Sequence, residues 1–136
     1  MDHGYEPSSD FLVQVANGDV PITGNAFAKE NLRRVIALMH DDDVTNRDWA
    51  TMLVSIAEID TPEVRHALLA AAGDEDAAVR AEALSGLATR DKALATPLVA
   101  EELLRRGRRP ALFTVALALG AILIGDGGER VRRLDA

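Results

Sequence analysis

The sequence has no cysteine. That excludes a disulfide scaffold and any zinc site built on thiolates. Histidine is nearly absent, with His3, His40 and His66 the whole set. Aromatics make up 4% of the chain, which leaves few rings to grip a planar cofactor. No HExxH, P-loop or Ser-His-Asp set is present. Gly125-Asp126-Gly127-Gly128 lacks the Lys-Ser/Thr of a phosphate loop and reads as a turn. The longest apolar run, Ala111 to Gly125, has 15 residues. A bilayer-spanning helix needs roughly 20, so this run is expected to be a buried helix. Met1 to Pro7 carries no basic start and no apolar stretch, so no secretory signal is expected and cytoplasm is the expected location. No segment alternates with period two, so no strand is expected.

What remains is a helix-forming mixture. The 136 residues allow one domain, 48% of them are hydrophobic, and Ala and Leu dominate. Fifteen basic against 22 acidic residues give a net charge of −7. Tight unspecific nucleic-acid binding depends on neutralising phosphates, so that class is disfavoured. The charge is uneven: residues 1–104 hold 8 Lys/Arg and 19 Asp/Glu, whereas residues 105–136 hold 7 Arg and 3 Asp/Glu. The tail's arginines form two clusters, Arg105-Arg106-Gly107-Arg108-Arg109 and Arg130-Val131-Arg132-Arg133. They are expected at helix ends, where positive charge suits the macrodipole. The alternative is a basic end that meets an acidic partner or a second copy.

Punctuation sets the helices. Ser8-Ser9-Asp10 precedes a short helix from Phe11 to Ala16, and Asn17-Gly18 ends it. Asn25 caps a helix to about Met39, with Leu32, Val35, Ile36 and Met39 on one face. Thr45 with Asp48 resembles a capping box for a helix to about Ala57. Thr61-Pro62-Glu63 is a strong start signal for a helix to about Ala72. Asp74-Glu75-Asp76 opens another to about Ala88. Thr96-Pro97 is a second possible start, although Ala93-Leu94 is expected to be helical already; that helix stops at Gly107. Pro110 opens the last long helix.

The chain also repeats itself. Asp43, Arg47 and Ala50 recur as Asp76, Arg80 and Ala83, at a spacing of 33. Ala116 and Leu117 lie 33 beyond Ala83 and Leu84, and Thr61-Pro62 returns as Thr96-Pro97 after 35 residues. Such a period implies stacked units, none of which buries its apolar face alone. Residues 74–88, Asp-Glu-Asp-Ala-Ala-Val-Arg-Ala-Glu-Ala-Leu-Ser-Gly-Leu-Ala, resemble the second helix of a HEAT-like repeat, of the short bacterial or phycobilisome-lyase type. Residues 41–57 and 60–72 carry a looser version. The resemblance implies an all-α fold: a short right-handed α-α superhelix of about three helix pairs, 25–57, 60–88 and 93–125. Residues 1–24 would be an N-terminal cap and 126–136 a tail. First helices would be 25–39, 62–72 and 93–106. Second helices, 45–57, 76–88 and 110–124, would line the concave binding face. The resemblance also implies a hydrogen-bonded ladder between repeats, with Asp41 and Arg47, then Asp74 and Arg80, in the ladder roles. The third copy has Arg109 and Phe113 at the corresponding positions, so the ladder is expected to stop there. An ankyrin reading, prompted by Thr96-Pro97-Leu98, fails at Val99, where that family has His.

One mismatch between repeats concerns function. Val79, Ala83, Leu84 and Leu87 correspond to Asn46, Ala50, Thr51 and Val54 as core positions. Glu82, Ser85 and Thr89 correspond to Trp49, Met52 and Ile56, so helix 45–57 carries an apolar stripe where its sibling is polar. Either residues 5–24 cover the stripe through Phe11, Leu12 and Val15, or the stripe is an exposed patch that anchors a partner. Val115 to Ile124 is apolar on all sides, so residues 129–134 or a second subunit must cover it, and a homodimer is the favoured expectation. His40 beside Asp41-Asp42-Asp43 is expected to be a helix-start turn and not a metal site. His66, Glu101-Glu102 and Glu58/Asp60 are expected on solvated faces.

The leading expectation is therefore a non-catalytic module that binds a protein: an adaptor, or an immunity- or antitoxin-like protein suited to a basic target. No cofactor, metal, membrane or nucleic acid is expected. Two alternatives are an enzyme accessory of the chromophore-lyase kind, and a HEAT-like DNA-repair protein, which the acidity of residues 1–104 disfavours.

Overall fold

The computed structural model describes residues 5–106 of the chain, in six α-helices with no strand among these residues. They are α1 (Asp10–Ala16), α2 (Ala26–Leu38), α3 (Val44–Ile56), α4 (Pro62–Ala71), α5 (Ala77–Arg90) and α6 (Lys92–Arg106). The all-α expectation is met over this span. Helix 110–124 and the tail lie outside the described residues, and with them the Val115–Ile124 dimer expectation and the clusters beyond Arg106.

Local signals account for most helix starts. Asn25 Oδ1 accepts from the Ala28 amide at 2.9 Å, and Thr61 Oγ1 from the Val64 amide at 3.2 Å, with Pro62 directly behind. Each satisfies an amide that has no partner inside the helix. Gly18 and Gly24 take φ of +82° and +93°, the left-handed geometry that turns the chain between α1 and α2. One start differs from expectation. Asp43, not Thr45, caps α3, its Oδ1 accepting from the Thr45 amide at 2.9 Å. Asp48 is thereby released from the supposed capping box and turns to Tyr5. Helix α6 begins where the 93–106 expectation put it, ahead of the alternative start at Thr96-Pro97. Asp91 caps that helix by accepting from the Leu94 amide at 3.0 Å, and Pro97 lies inside it. The missing Pro97 amide would have bonded the Ala93 carbonyl; both residues are exposed, so water can take its place.

Helices α3 and α5 pack on each other at the centre, with α1, α2 and α4 against α3, and α4 and α6 against α5. Leu12, Val35, Val54, Val64, Leu68, Val79, Leu84, Leu87 and Val99 are fully buried between them. Burying each such side chain contributes about 1.5–3 kcal/mol before entropy is subtracted. Both members of each repeated core pair are buried, including the polar ones in α3. Asn46 takes the Ser9 amide at 3.1 Å and donates to Ser8 and Asp41, while Thr51 donates to the Arg47 carbonyl at 2.7 Å. Among the described residues no buried side-chain nitrogen or oxygen lacks a partner.

The α3–α5 crossing is closest at Gly86. A Cβ there would lie 2.5 Å from Ser55 Oγ and 3.0 Å from Ser55 Cα. Alanine normally stabilises a helix over glycine by about 1 kcal/mol. Here Gly86→Ala is expected to destabilise by about 1–3 kcal/mol, because the helices must part. Urea unfolding would show it, and Ser55→Gly in the same chain should recover most of the loss.

Candidate binding face on α3 and α5

The turns before α3 and α5 are built alike. Asp41 Oδ2 accepts from the Asp43 amide at 3.1 Å, and Asp74 Oδ1 from the Asp76 amide at 2.8 Å. Arg47 Nη1 donates to the Asp41 and Asp42 carbonyls, and Arg80 Nη1 to those of Asp74 and Glu75. The rest of each guanidinium reaches onward along the chain. Arg47 Nε meets Asp74 Oδ2 at 3.0 Å, and Arg80 Nε meets Glu102 Oε2 at 2.9 Å. Thus Arg47 and Arg80 touch the acids of their own turns through backbone, and their ion pairs fall on the next unit. Glu102 corrects two expectations. It is 3% exposed and not solvated, and it supplies the next acid after Arg80, where the spacing offered none. It does so because α6 runs unbroken from Lys92 and carries residue 102 back against α5.

The apolar stripe is split. Trp49 is half-buried and its Nε1 donates to the Tyr5 carbonyl at 3.1 Å. Met52 is half-buried against the core. Ile56 is 69% exposed. Residues 5–9 form a strap along the N-terminal half of α3. The Tyr5 hydroxyl donates to Asp48 Oδ2, Ser8 Oγ to Asp43 Oδ2 at 3.0 Å, and the Ser9 amide to Asn46 Oδ1 at 3.1 Å. Leu12 and Val15 continue into the core, whereas Phe11 stays half-buried under the Arg34 guanidinium, 3.8 Å from the ring centre. The strap thus holds Trp49 and leaves Ile56 standing clear.

Ile56 separates two hollows. One, of about 460 Å³, lies between the end of α3 and α5 and is lined by Glu58, Asp60, Glu82, Ser85, Thr89 and Arg90 among others. The other, of about 500 Å³, is walled by Val15, Val20, Ile22, Thr23, Leu53 and Glu58 among others. Arg90 closes the end of α3. Its Nε donates to the Ile59 carbonyl, Nη1 to those of Ser55 and Gly86, and Nη2 to those of Val54 and Ala57, at 2.7–3.0 Å. A guanidinium has five N–H groups, and all are used. Nothing local in the sequence marks Arg90, since four of its five acceptors lie more than thirty residues earlier; a lone Arg at a helix end reads as an ordinary dipole charge.

The face is electrostatically negative. Burial pushes the Asp48 carboxyl above its ordinary value, opposed by the Tyr5 hydrogen bond and helped by Asp76. Burial, then the Asp48 charge, raises Glu82. Burial, with the Asp48 acceptor next, raises the Tyr5 hydroxyl. Arg65 holds Asp60 below its usual range through paired contacts at 2.6 and 2.7 Å. A carboxyl raised on folding binds protons more tightly in the native state, so ionising it costs stability as pH rises above the unfolded value near 3.8. Asp48→Asn keeps an acceptor for Tyr5 and removes that cost. The variant should gain thermal stability over the parent at pH 7, and the gain should shrink towards pH 4. An equal difference at both values would contradict this assignment.

Among the described residues no three His, Cys, Asp or Glu side chains are grouped to hold a metal, and no helix is long and apolar enough to cross a membrane. Asp41 and Asp43, beside exposed His40, spend their oxygens on turn and cap amides. His66 is exposed on α4. No family model matches the chain, and no curated protein or solved structure matches it significantly.

Proposed function

We propose that the chain is a short α-solenoid of HEAT-like helix pairs that acts as a non-catalytic protein-binding module, with the Ile56 region of α3 as its contact surface. Support for the solenoid comes from the two turns at 41–47 and 74–80, whose hydrogen bonds repeat at the sequence spacing of 33 and whose arginines reach on to the next unit. Support for the surface rests on one observation: Ile56 is 69% exposed between two hollows. A partner that covered Ile56 would remove its apolar surface from water, which is favourable, and the hollows on either side leave room for the partner's own side chains.

The test compares two baits in cross-linked pull-downs, the parent chain and Ile56→Asp. The substitution leaves the core intact, so helicity by circular dichroism should be unchanged. A protein retained by the parent and lost with Ile56→Asp supports the reading. Equal recovery on both baits, or none on either, overturns it. The chromophore-lyase and DNA readings gain no support from this face, which offers acids where a propionate or phosphate would need cations.

A further inference from the structure

Three features of the acidic hollow bear on what it takes. First, no hydrogen bond or ion pair among the described residues reaches the Glu82 carboxylate, and its charged neighbour is another acid, Asp48. Glu58 is exposed on the same rim. Secondly, the cation in the hollow is already committed. Every N–H of Arg90 is donated to a carbonyl, so Arg90 has none left to pair directly with Glu82 or with an incoming anion. Thirdly, Asp60 adds another carboxylate to the lining, held from the side by Arg65 in paired contacts at 2.6 and 2.7 Å. An anionic ligand is disfavoured by these carboxylates, and a cation gains a carboxylate partner that the described residues leave unused.

The wall narrows the occupant further. Ile56 and Glu58 line both this hollow and the neighbouring one, where Val15, Val20, Ile22 and Leu53 supply aliphatic wall. A small polyamine satisfies the first hollow and leaves the second empty. A polypeptide with a basic residue beside an aliphatic one fills both, the stem of the basic side chain lying along Ile56.

We propose that the surface around Ile56 docks a basic, amphipathic protein segment, with a Lys or Arg paired to Glu82 beside Ile56 and a neighbouring apolar side chain in the Val15–Val20–Ile22 hollow. This rests on the protein-binding reading above and specifies the chemistry of the partner. Burial of Glu82 within reach of Asp48 adds a drive, since a cation relieves the repulsion between them.

The experiment uses the full chain and three probes: a synthetic peptide of alternating Lys and Leu, its Lys-Ser counterpart, and spermidine. Binding is followed by calorimetry and by the fluorescence of Trp49, the sole tryptophan. The Lys-Leu peptide should bind at least ~tenfold more tightly than either other probe. Glu82→Gln and Ile56→Ser should each weaken it by ~tenfold or more, whereas Glu101→Gln, at an exposed acid on α6, should change it less than ~twofold. Glu82→Gln relieves a repulsion, so its thermal melt should match or exceed the parent's and report that the variant folds. Equal weakening by Glu101→Gln reveals diffuse charge attraction and overturns the proposal. So does spermidine binding as tightly as the peptide, or indifference to Glu82→Gln. A cellular partner that depends on Ile56 but ignores Glu82→Gln would refute this inference and leave the binding-module reading standing.

Discussion

Arg80→Ala should destabilise the protein by about 3–5 kcal/mol, as breaking a buried ion pair from one side does. Arg80 and Glu102 side chains are 8% and 3% exposed, and they meet twice, at 2.9 and 3.2 Å. Removing the guanidinium leaves a carboxylate in the interface of α5 and α6 and strips the Asp74 and Glu75 carbonyls of their donor. The loss is expected to fall mainly on α6, which would detach before the rest. Urea unfolding should show an early loss of helix signal, and hydrogen exchange should speed up in residues 92–106 before α3. Replacing both partners, Arg80→Met with Glu102→Leu, should recover most of the stability, because two well-packed apolar side chains avoid the desolvation of two ions. If the single substitution costs under ~1 kcal/mol, the pair is solvated and the interface assignment is wrong.

Arg90→Ala has the second largest expected effect. Four of its acceptors are carbonyls of α3 and the turn behind it, Val54, Ser55, Ala57 and Ile59. Leaving several without a donor should cost about 3 kcal/mol. Arg90→Lys should recover less than half, since one ammonium cannot serve five divergent carbonyls. The damage should centre on residues 54–60, so both substitutions should weaken any partner held at Ile56 while leaving the melting of α1 and α2 little changed. Recovery of full stability by lysine would mean that charge alone suffices there.

Much of the helix plan was legible in the residues because capping is local. Asn25, Thr61-Pro62 and Asp76 each satisfy amides within three positions, so type and spacing identify them. Thr45 misled because two candidate caps stand two residues apart, and the backbone that lets Asp43 accept from Thr45 also frees Asp48. Thr96-Pro97, the alternative start, is passed over because Asp91 already caps the helix at the Leu94 amide and also receives Arg65 at 3.0 Å.

The candidate face was legible only in part. Comparing the repeats singled out Trp49, Met52 and Ile56 and raised both outcomes, cover and exposure. The fold delivers each to a different residue, because residues 5–9 reach along the first half of α3 and α1 then turns into the core. Glu82 entered the comparison merely as the polar counterpart of Trp49; that no described residue pairs with it emerges only in the folded structure, where the nearby Arg90 spends its five N–H groups on carbonyls.

The order of residues by itself determined where most of the described helices start, that turns 41–47 and 74–80 share a plan, and that residues 1–104 are acidic. These depend on contacts within a few positions or on composition, which need no knowledge of distant neighbours. Tertiary structure alone decided that Arg80 ends on Glu102, that Arg90 closes α3, and that Ile56 stands clear while Trp49 is held. Each is settled by groups 22 to 44 residues apart. Pairing at such range depends on how helices pack, and no local spacing encodes it.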